Sequence, residues 1–387
     1  MRVLLVSEVF PPRAGGAGWS ARALALALRS AGHEISVATT SPGPGEIDGI
    51  PVRRLAASGR KRSALPRAFA KAVRGSGNSI VHAQHFLSAL GCVAAGRPER
   101  VVVTVRDTWP TCFWAAPISR GALCPSCGAS PMTRCLEGRT RLPVPFSWGA
   151  IPYMLGDLSL RRAALRRAGA VLGVSDAVSR GLLAAGIPRV LTVPNIVDAE
   201  ETRRLAVPPP TFSLPDRFLL YVGKLEPNKG VRFLVPAVAG ARSGLPLVVL
   251  GDGSQARAVA REAERAGVPL IHLGWADRDD VLRTLARATA LVFPSLGPES
   301  LSRVLLEALA LGTPAAAMNT GGTGELVQNE ATGLLVDDAG ELAGAVARLV
   351  DDDRLRARLA EGAKERARAF SPEALVPRYV AVYGRLP

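Results

Sequence analysis

The chain has 387 residues, which is more than one ordinary hydrophobic core supports, so we expect two domains. Apolar residues make up 48% of it and aromatic residues only 5%, which argues against a β-rich fold. The formal net charge of +15 fits anionic lipid, a phosphate-rich substrate or a solvated basic surface. Nucleic acid is disfavoured, because proteins that bind single strands stack the bases on aromatic side chains.

The amino-terminal apolar run is too short for a signal peptide, because Glu8 and the pair Pro11-Pro12 interrupt it. No apolar run approaches the roughly 18 residues that span a bilayer. We therefore expect a soluble cytoplasmic protein whose membrane contact, if any, is peripheral.

The first half of the chain begins with a predicted strand at residues 2–6 and a Pro/Gly-rich loop at 11–18. A helix is predicted over 20–31 and a strand over 34–39, and this order is the βαβ unit of a parallel sheet. Further strands are predicted at 79–82, 101–105, 170–174 and 190–193.

The second half starts at residues 206–215 (AVPPPTFSLP), where four prolines indicate a stiff interdomain linker. Strands are then predicted at 218–222, 245–250, 270–273, 290–293 and 314–317, and helices at 231–241, 301–311, 351–369 and 372–386. We predict two doubly wound α/β domains that face each other across a cleft, since open parallel sheets bind ligands beyond their carboxyl ends.

Two lysines mark the loop at residues 221–230, between a predicted strand and a predicted helix. Lys224 and Lys229 are positioned to bind a diphosphate together with the amino end of the helix. Gly223 and Gly230 allow the backbone to approach such a ligand closely. Taken alone, the pattern fits two solvated loop lysines equally well.

Two carboxylates follow in the segment 293–307. Glu299 precedes the predicted helix and Glu307 lies inside it, where a carboxylate ordinarily caps the helix or faces solvent. Leucine and alanine flank Glu307, however, so we expect it to be buried with a partner, and ribose hydroxyls would serve. A glycine-rich loop at 320–325 follows the next predicted strand.

Together these segments resemble the retaining glycosyltransferases of family 4, which have the two-domain GT-B fold. The matching segments are 12–18, 81–82, 194–198, 222–230, the pair Glu299 and Glu307, 308–314, 321–325 and 332–336, in family order. The resemblance implies an acceptor-side domain at 1–205 with a cysteine-rich insertion at 107–150. It also implies a donor-binding domain at 206–371 and a last helix at 372–387 that crosses back to the first domain.

The resemblance further implies transfer of a hexose-type sugar from a UDP- or GDP-sugar to a glycan, lipid-linked or small-molecule hydroxyl, with retained anomeric configuration. Lys224 and Lys229 would neutralise the leaving nucleoside diphosphate, and Glu307 would bind the ribose. No metal would be needed, because fixed cations and helix ends supply the charge stabilisation. Glu299 would face the transferred sugar, and the other residues implied at the donor are Gly16, Gly223, Ser300 and Leu301.

One departure concerns the strand at 101–105, after which the family usually has His-Asp and this chain has Arg106-Asp107. An arginine cannot act as a base at neutral pH, but it can bind phosphate through two hydrogen bonds. We expect Arg106 and Asp107 to belong to the catalytic region, with a changed donor sugar, a changed acceptor or altered activity. Ser300 and Ser302 also stand where glycine is usual.

Four of the five cysteines lie close together in C-x11-C-x2-C-x7-C order. This spacing predicts a structural metal site with zinc ahead of an iron–sulfur cluster, while free thiols, or a disulfide formed on isolation, remain the alternative. The predicted ligands are Cys112, Cys124, Cys127 and Cys135. Cys92 lies in an apolar run and is expected in the core.

Two basic clusters lie in the first half of the chain. Residues 53–74 contain eight cations and no acid, and a second cluster lies on a predicted helix. They suggest an anionic membrane surface near the acceptor, or equally a solvated face. The second cluster consists of Arg161, Arg162, Arg166 and Arg167.

Two alternatives to a transferase stay open at this stage. Glycine loops after strands also fit a nicotinamide-dependent oxidoreductase, but residues 15–18 lack the G-x-G-x-x-G spacing. A nucleotide-sugar-binding protein without catalysis, marked by Arg106, is the second alternative. The sequence does not predict the oligomeric state.

Overall fold

This computed structural model describes residues 1–55, 64–119, 122–124, 127–140 and 144–387. The chain divides into two compact units. The first comprises Met1–Ile196 together with Pro372–Pro387, and the second comprises Val197–Ser371.

The first unit is built on a sheet whose described strands follow the order β10-β9-β6-β5-β1-β2-β4-β3. All neighbours are parallel except β3 and β4, and a short ribbon of β7 and β8 lies apart. The strands are β1 (Arg2–Ser7), β2 (Glu34–Thr39), β3 (Glu46–Ile47), β4 (Ile50–Arg54), β5 (Ile80–Ala83), β6 (Val101–Val105), β7 (Ile118–Ser119), β8 (Ala122–Leu123), β9 (Ala170–Gly173) and β10 (Val190–Thr192).

The helices of the first unit are α1 (Gly16–Ser30), α2 (Leu65–Arg74), α3 (Phe86–Val93), α4 (Ala129–Arg139), α5 (Val144–Arg167), α6 (Asp176–Ala184) and α15 (Pro372–Tyr383). Every residue of β5, β6 and β9 is buried, as expected for central strands of a parallel sheet covered on both faces. Helix α1 begins at Gly16, so the predicted loop at 11–18 is shorter than expected. A Cβ at Gly18 would lie 2.6 Å from the Cβ of Ala14, which explains this glycine inside the helix.

The second unit has a parallel sheet in the order β13-β12-β11-β14-β15-β16. Its strands are β11 (Leu219–Val222), β12 (Leu247–Leu250), β13 (Leu270–Gly274), β14 (Ala290–Phe293), β15 (Ala315–Met318) and β16 (Leu334–Val336). Its helices are α7 (Ala199–Ala206), α8 (Leu234–Gly240), α9 (Ala256–Ala266), α10 (Arg278–Leu285), α11 (Arg303–Leu311), α12 (Thr323–Leu326), α13 (Leu342–Asp351) and α14 (Asp353–Ala367).

The proline-rich stretch at 206–215 lies inside the second unit rather than between the units. Thr211 donates hydrogen bonds from its backbone N–H (3.0 Å) and its hydroxyl (2.5 Å) to the carboxylate of Asp280 on α10. Helix α7, which precedes the prolines, packs against α10 and α11. The chain therefore enters the second unit one helix before the composition changes.

Helix α15 belongs to the first unit and is anchored there by tyrosine hydroxyls. Tyr383 Oη lies 2.7 Å from His82 Nδ1, and Tyr379 Oη donates to the carbonyl of Pro194 at 3.1 Å. The other ring nitrogen of His82 lies 2.7 Å from Thr104 Oγ1, so both nitrogens are occupied inside the core.

The two parallel sheets confirm the predicted pair of Rossmann-like α/β units. Within the described ranges, no helix is both long and apolar enough to cross a bilayer. Cys92 is fully buried in the core of the first unit, as predicted, and burial raises the pKa of its thiol.

Candidate active site

The turn after β11 carries both predicted donor lysines. Gly223 follows the strand at φ +154°, and the hydroxyl of Tyr221 donates to the carbonyl of Lys224 at 2.8 Å. A 3-10 turn, Pro227–Lys229, leads to Gly230 at φ +63°. A Cβ at Gly230 would lie 1.8 Å from the carbonyl oxygen of Pro294, so only glycine fits there. The turn is therefore packed tightly against the loop that follows β14.

Lys229 and Glu299 form an ion pair across these two loops. The distance from Lys229 Nζ to Glu299 Oε1 is 2.6 Å, and Ser295 Oγ donates to the same oxygen. The side chain of Glu299 is 10% exposed and that of Lys229 is 31% exposed. Burial and the nearby Glu299 carboxylate raise the pKa of Tyr221. A nearly buried carboxylate thus holds a cation that solvent can still reach.

The glycine-rich loop after β15 closes on Glu299 from the other side. Gly322 N–H donates to the carbonyl of Glu299 at 2.6 Å. Gly321 adopts φ +58°, and a Cβ there would lie 2.2 Å from the same carbonyl oxygen. The loop therefore fixes the backbone of Glu299 without inserting a side chain.

Glu307 is buried, as predicted, with 4% of its surface exposed. Its partners are two arginines whose Nε atoms donate to Glu307 Oε1, Arg303 at 2.9 Å and Arg278 at 3.3 Å. Arg303 lies one turn earlier on α11, whereas Arg278 opens α10. Burial lowers the pKa of Arg303, while Glu307 acts in the opposite direction. The i,i+4 spacing could have revealed Arg303, but no sequence signal pointed to Arg278.

The predicted donor residues are thus brought together unequally. Lys229 and Glu299 are in direct contact, and Gly223 and Lys224 lie in the same turn as Lys229. The remaining predicted residues are Ser300 and Leu301, which precede the start of α11, Glu307 inside α11, and Gly16, which opens α1 in the first unit.

Arg106 lies at the carboxyl edge of the first sheet, directly after β6. It is 8% exposed, and its guanidinium donates to Asn195 Oδ1 and Gln84 Oε1. Nearby, Gln84 Nε2 and His85 Nε2 are buried without a hydrogen-bond partner among the described residues. Buried polar atoms rarely stay unsatisfied, so this edge is suited to bind a hydroxylated ligand. Their position just after β5 is the sequence signal that could have identified them.

The histidines near this edge are neutral at physiological pH. Burial, and then the Arg106 cation, lower the pKa of His82 and of His85 to about 3. Asp107 accepts the backbone N–H of Trp109 at 2.7 Å. Part of the surface of Asp107 is open to solvent, yet desolvation is the largest influence and raises the pKa of its carboxyl. The hydrogen bond from the Trp109 N–H and the charge of Arg161 act in the opposite direction.

The four clustered cysteines line one cavity of about 210 Å³. In the described part of the chain, no group of three or more His, Cys, Asp or Glu side chains is arranged to hold a metal ion. The predicted zinc or iron–sulfur site is therefore not confirmed. A hydrogen bond between the Cys112 and Cys127 side chains lowers the pKa of Cys127 to about 6 and raises that of Cys112.

Part of the predicted basic surface serves the fold instead. Arg161 is 7% exposed, pairs with Asp157, and donates to the carbonyls of residues 109, 112 and 113. Arg162 donates to the carbonyl of Pro110 at 3.0 Å. In the other cluster, Arg54 donates to three backbone carbonyls, and residues 56–63 lie outside the described residues.

Two family models match this chain. Glycosyltransferase Family 4 matches residues 14–201, and Glycosyl transferases group 1 matches residues 206–366. The chain is 29% identical to glycogen synthase of Mycobacterium tuberculosis (strain ATCC 25618 / H37Rv), over 95% of this chain and 90% of that protein. It is 33% identical to D-inositol 3-phosphate glycosyltransferase of Nocardioides sp. (strain ATCC BAA-499 / JS614), over 43% of this chain and 41% of that protein.

Solved structures share the fold over the whole chain. Anabaena Alr3699/HepE in complex with UDP-glucose superimposes with a TM-score of 0.73 at 19% identity, covering 100% of both chains. Sucrose-phosphate synthase (tll1590) from Thermosynechococcus elongatus gives a TM-score of 0.71 at 22% identity, covering 100% of this chain and 98% of that one. The predicted GT-B fold is confirmed, and the oxidoreductase alternative finds no support. The chain belongs to the group 1 glycosyltransferases of family 4.

Proposed function

We propose that this chain transfers a hexose-type sugar from a UDP- or GDP-sugar to a hydroxyl of a glycan, a lipid-linked glycan or a small molecule. The observation that carries the proposal is the ion pair of Lys229 with Glu299, with Lys224 exposed in the same turn. Among the described residues, the Lys224 ammonium pairs with no carboxylate. Two accessible cations in one loop after a parallel strand suit a diphosphate.

The relatives support this choice of donor. Alr3699/HepE has been solved in complex with UDP-glucose. The two relatives compared by sequence are a glycogen synthase, 29% identical, and a D-inositol 3-phosphate glycosyltransferase, 33% identical. We therefore place UDP-glucose first among the donors to test and a GDP-sugar second.

The proposed chemistry retains the anomeric configuration. The bond from the anomeric carbon to the diphosphate oxygen breaks, and the acceptor oxygen bonds to the same face of that carbon. The acceptor proton passes to the departing phosphate oxygen, so no protein base is required. Lys224 and Lys229 stabilise the negative charge that develops on the leaving group without a metal ion.

The other residues hold the substrates in this proposal. Glu299 faces the sugar once its lysine has turned to the phosphate, with the backbone N–H groups of Ser300 and Leu301 beside it. Glu307, fixed by its two arginines, binds ribose hydroxyls. The first unit contributes Gly16, near the phosphates, and the edge around Arg106 and Asp107, near the acceptor.

A thermal-shift screen with UDP-, GDP-, ADP- and dTDP-glucose tests the donor. We expect one nucleotide to raise the melting temperature and the others to have little effect. Transfer with that donor is then followed by NMR of the product anomer, with and without EDTA. Stabilisation without turnover on any acceptor would favour the non-catalytic binding protein, and no stabilisation by any nucleotide would remove the proposal.

We also propose that the acceptor is presented at an anionic membrane surface. Helix α5 exposes Trp148, Tyr153 and Leu160, and Arg167 lies exposed at its end. Exposed aromatic side chains and a cation on one helix suit the interface of an anionic bilayer. Co-sedimentation with vesicles should increase with anionic lipid content and fall in the variant W148A/Y153A; binding that ignores lipid charge would contradict the proposal.

A further inference from the structure

The carboxylate of Glu307 is held by two arginines that come from different helices. Arg303 lies four residues before it on α11, and Arg278 opens α10, which follows β13. Both arginines donate from Nε to the same carboxylate oxygen, Oε1, at 2.9 Å from Arg303 and 3.3 Å from Arg278. The carboxylate is therefore fixed both from its own helix and from a second one.

The second oxygen of Glu307 has a different environment. No described residue donates a hydrogen bond to Oε2, since both arginines use Oε1. In the described part of the chain, Oε2 is also not one of the polar atoms that are enclosed without a partner, so solvent reaches it. One oxygen of the carboxylate is thus occupied by the protein, and the other is open to a ligand.

The Glu307 carboxylate is held more rigidly than that of Glu299, whose lysine partner is partly exposed. The side chains of Arg278 and Glu307 are each 6% exposed, and that of Arg303 is 10% exposed. Breaking a buried ion pair is strongly unfavourable, because it leaves a charge without its counterion and away from water. The two arginines therefore oppose any reorientation of Glu307, whereas the lysine of Glu299 can exchange its partner.

We propose that Arg278 and Arg303 are positioning residues that hold Glu307 Oε2 for the donor ribose, so that the chain selects ribonucleotide donors over 2′-deoxyribonucleotide donors. The inference rests on the proposed function, which assigns the ribose to Glu307. A carboxylate paired with guanidinium groups accepts hydrogen bonds and donates none, so its ligand has to offer hydroxyl protons. The ribose 2′-OH and 3′-OH are adjacent, and one carboxylate oxygen has lone pairs for both. A 2′-deoxyribose lacks the first of these hydroxyls.

The test measures, by titration calorimetry on the full chain, the binding of UDP and of 2′-deoxy-UDP. GDP with 2′-deoxy-GDP and ADP with 2′-deoxy-ADP form two further pairs, so the nucleobase need not be known in advance. In at least one pair, the wild-type chain should bind the ribonucleotide about tenfold more tightly than its 2′-deoxy analogue, which is the effect of one hydrogen bond to a charged group.

The variants Arg278→Gln and Arg303→Gln test the positioning role, because each leaves Glu307 with one arginine partner. The carboxylate can then reorient, and the ratio of the two dissociation constants should fall to about twofold. Arg278→Lys keeps the cation but loses the planar guanidinium, so its ratio should lie between these values. The ratio separates positioning from stability, since a variant that is merely less stable binds both nucleotides of a pair equally weakly. Circular dichroism checks that the variants are folded.

Arg283→Gln is the matched control, because Arg283 lies on α10 as well but pairs with Asp280. It should keep the wild-type ratio. Equal binding of both members of every pair by the wild-type chain would overturn the selection of ribose. A wild-type ratio in Arg278→Gln and Arg303→Gln would overturn the positioning role while donor binding stands. If no nucleotide binds the wild-type chain, the proposed function fails, and this inference fails with it.

Discussion

At the carboxyl edge of the second unit's sheet a lysine is paired with a carboxylate, whereas at the corresponding edge of the first unit an arginine is bonded to neutral amides. Lys229 is bonded to Glu299 in the second unit. In the first unit Arg106 donates to side-chain amides, and His85 is neutral. A lysine that is paired with a carboxylate can exchange that partner for a phosphate group of a ligand. Amide and imidazole groups that are neutral and fixed in place are suited to form hydrogen bonds with hydroxyl groups. The difference supports the proposal that the donor binds at one edge and the acceptor at the other.

The largest expected effect tests the charged edge. Lys229→Ala removes one of the two cations proposed to stabilise the leaving diphosphate, so kcat should fall roughly 100-fold to 1,000-fold. The matched control is Lys364→Ala, which breaks an exposed ion pair with Glu361 in the same unit. Steady-state kinetics that show equal rates for both variants would contradict the proposed role of Lys229.

Substitution of the buried carboxylate Glu307 should destabilise the fold more than substitution of an exposed carboxylate. Glu307→Gln leaves Arg278 and Arg303 without their shared counterion, and the free energy of unfolding should fall by about 3 kcal/mol. Urea unfolding of Glu361→Gln, whose carboxylate is exposed, should match the wild type. If the two variants unfold alike, the arginines do not depend on Glu307.

Acidification should lower the free energy of unfolding through the neutral histidines of the first unit. The pKa values of His82 and His85 are about 3 in the folded chain, against an ordinary 6.5. The unfolded chain therefore binds more protons between these values, and stability falls as the pH drops below 6.5. Each histidine contributes about 2 kcal/mol between pH 6.5 and roughly pH 5.

Urea unfolding at several pH values measures this slope, with His82→Gln as the test variant. The groups facing His82 are Tyr379, Tyr383, Thr104 and Arg106. The substitution can lower the free energy of unfolding at neutral pH as well. Independently of that loss, about half of the decrease in stability that the two histidines cause on acidification should disappear in the variant. An unchanged slope would mean that His82 is not the proton-linked group.

The smallest effect concerns the acceptor. His85→Phe keeps an aromatic ring but removes the unsatisfied Nε2, along with the Nδ1 that lies 3.3 Å from Ser7 Oγ. The KM for the acceptor should rise about fivefold, the equivalent of one hydrogen bond. The affinity for the donor nucleotide, measured by calorimetry, should stay the same. His33→Phe, far along the chain, serves as control. A change in nucleotide affinity alone would place His85 at the donor instead.

Strand, loop and helix alternation was predictable because hydrophobic periodicity and glycine positions are local properties. Residues 34–39 and 101–105 were predicted as strands, and the structure has the same bounds. The prolines at 206–215 were predicted to form an interdomain linker, and this prediction failed because the position of the segment depends on a long-range contact. A stiff segment looks like a linker in sequence, but Asp280 on α10 binds it to the second unit.

The cysteines show a different limit. Their spacing resembles a zinc knuckle, yet spacing does not fix where four side chains point. The positions of Cys112 and Cys127 depend on Arg161 and on the packing of α4 against α5. The arrangement of the four cysteines around their shared cavity is therefore a result of tertiary packing.

By itself the sequence determined the parallel α/β class, the turn that carries Lys224 and Lys229, and the two carboxylates Glu299 and Glu307. Only the tertiary structure decided their partners. Lys229 meets Glu299 because β11 and β14 are neighbours in the sheet although they are far apart in the chain. Long-range pairing depends on strand order, which local propensity does not encode, and for that reason the role of Arg278 came from the structure alone.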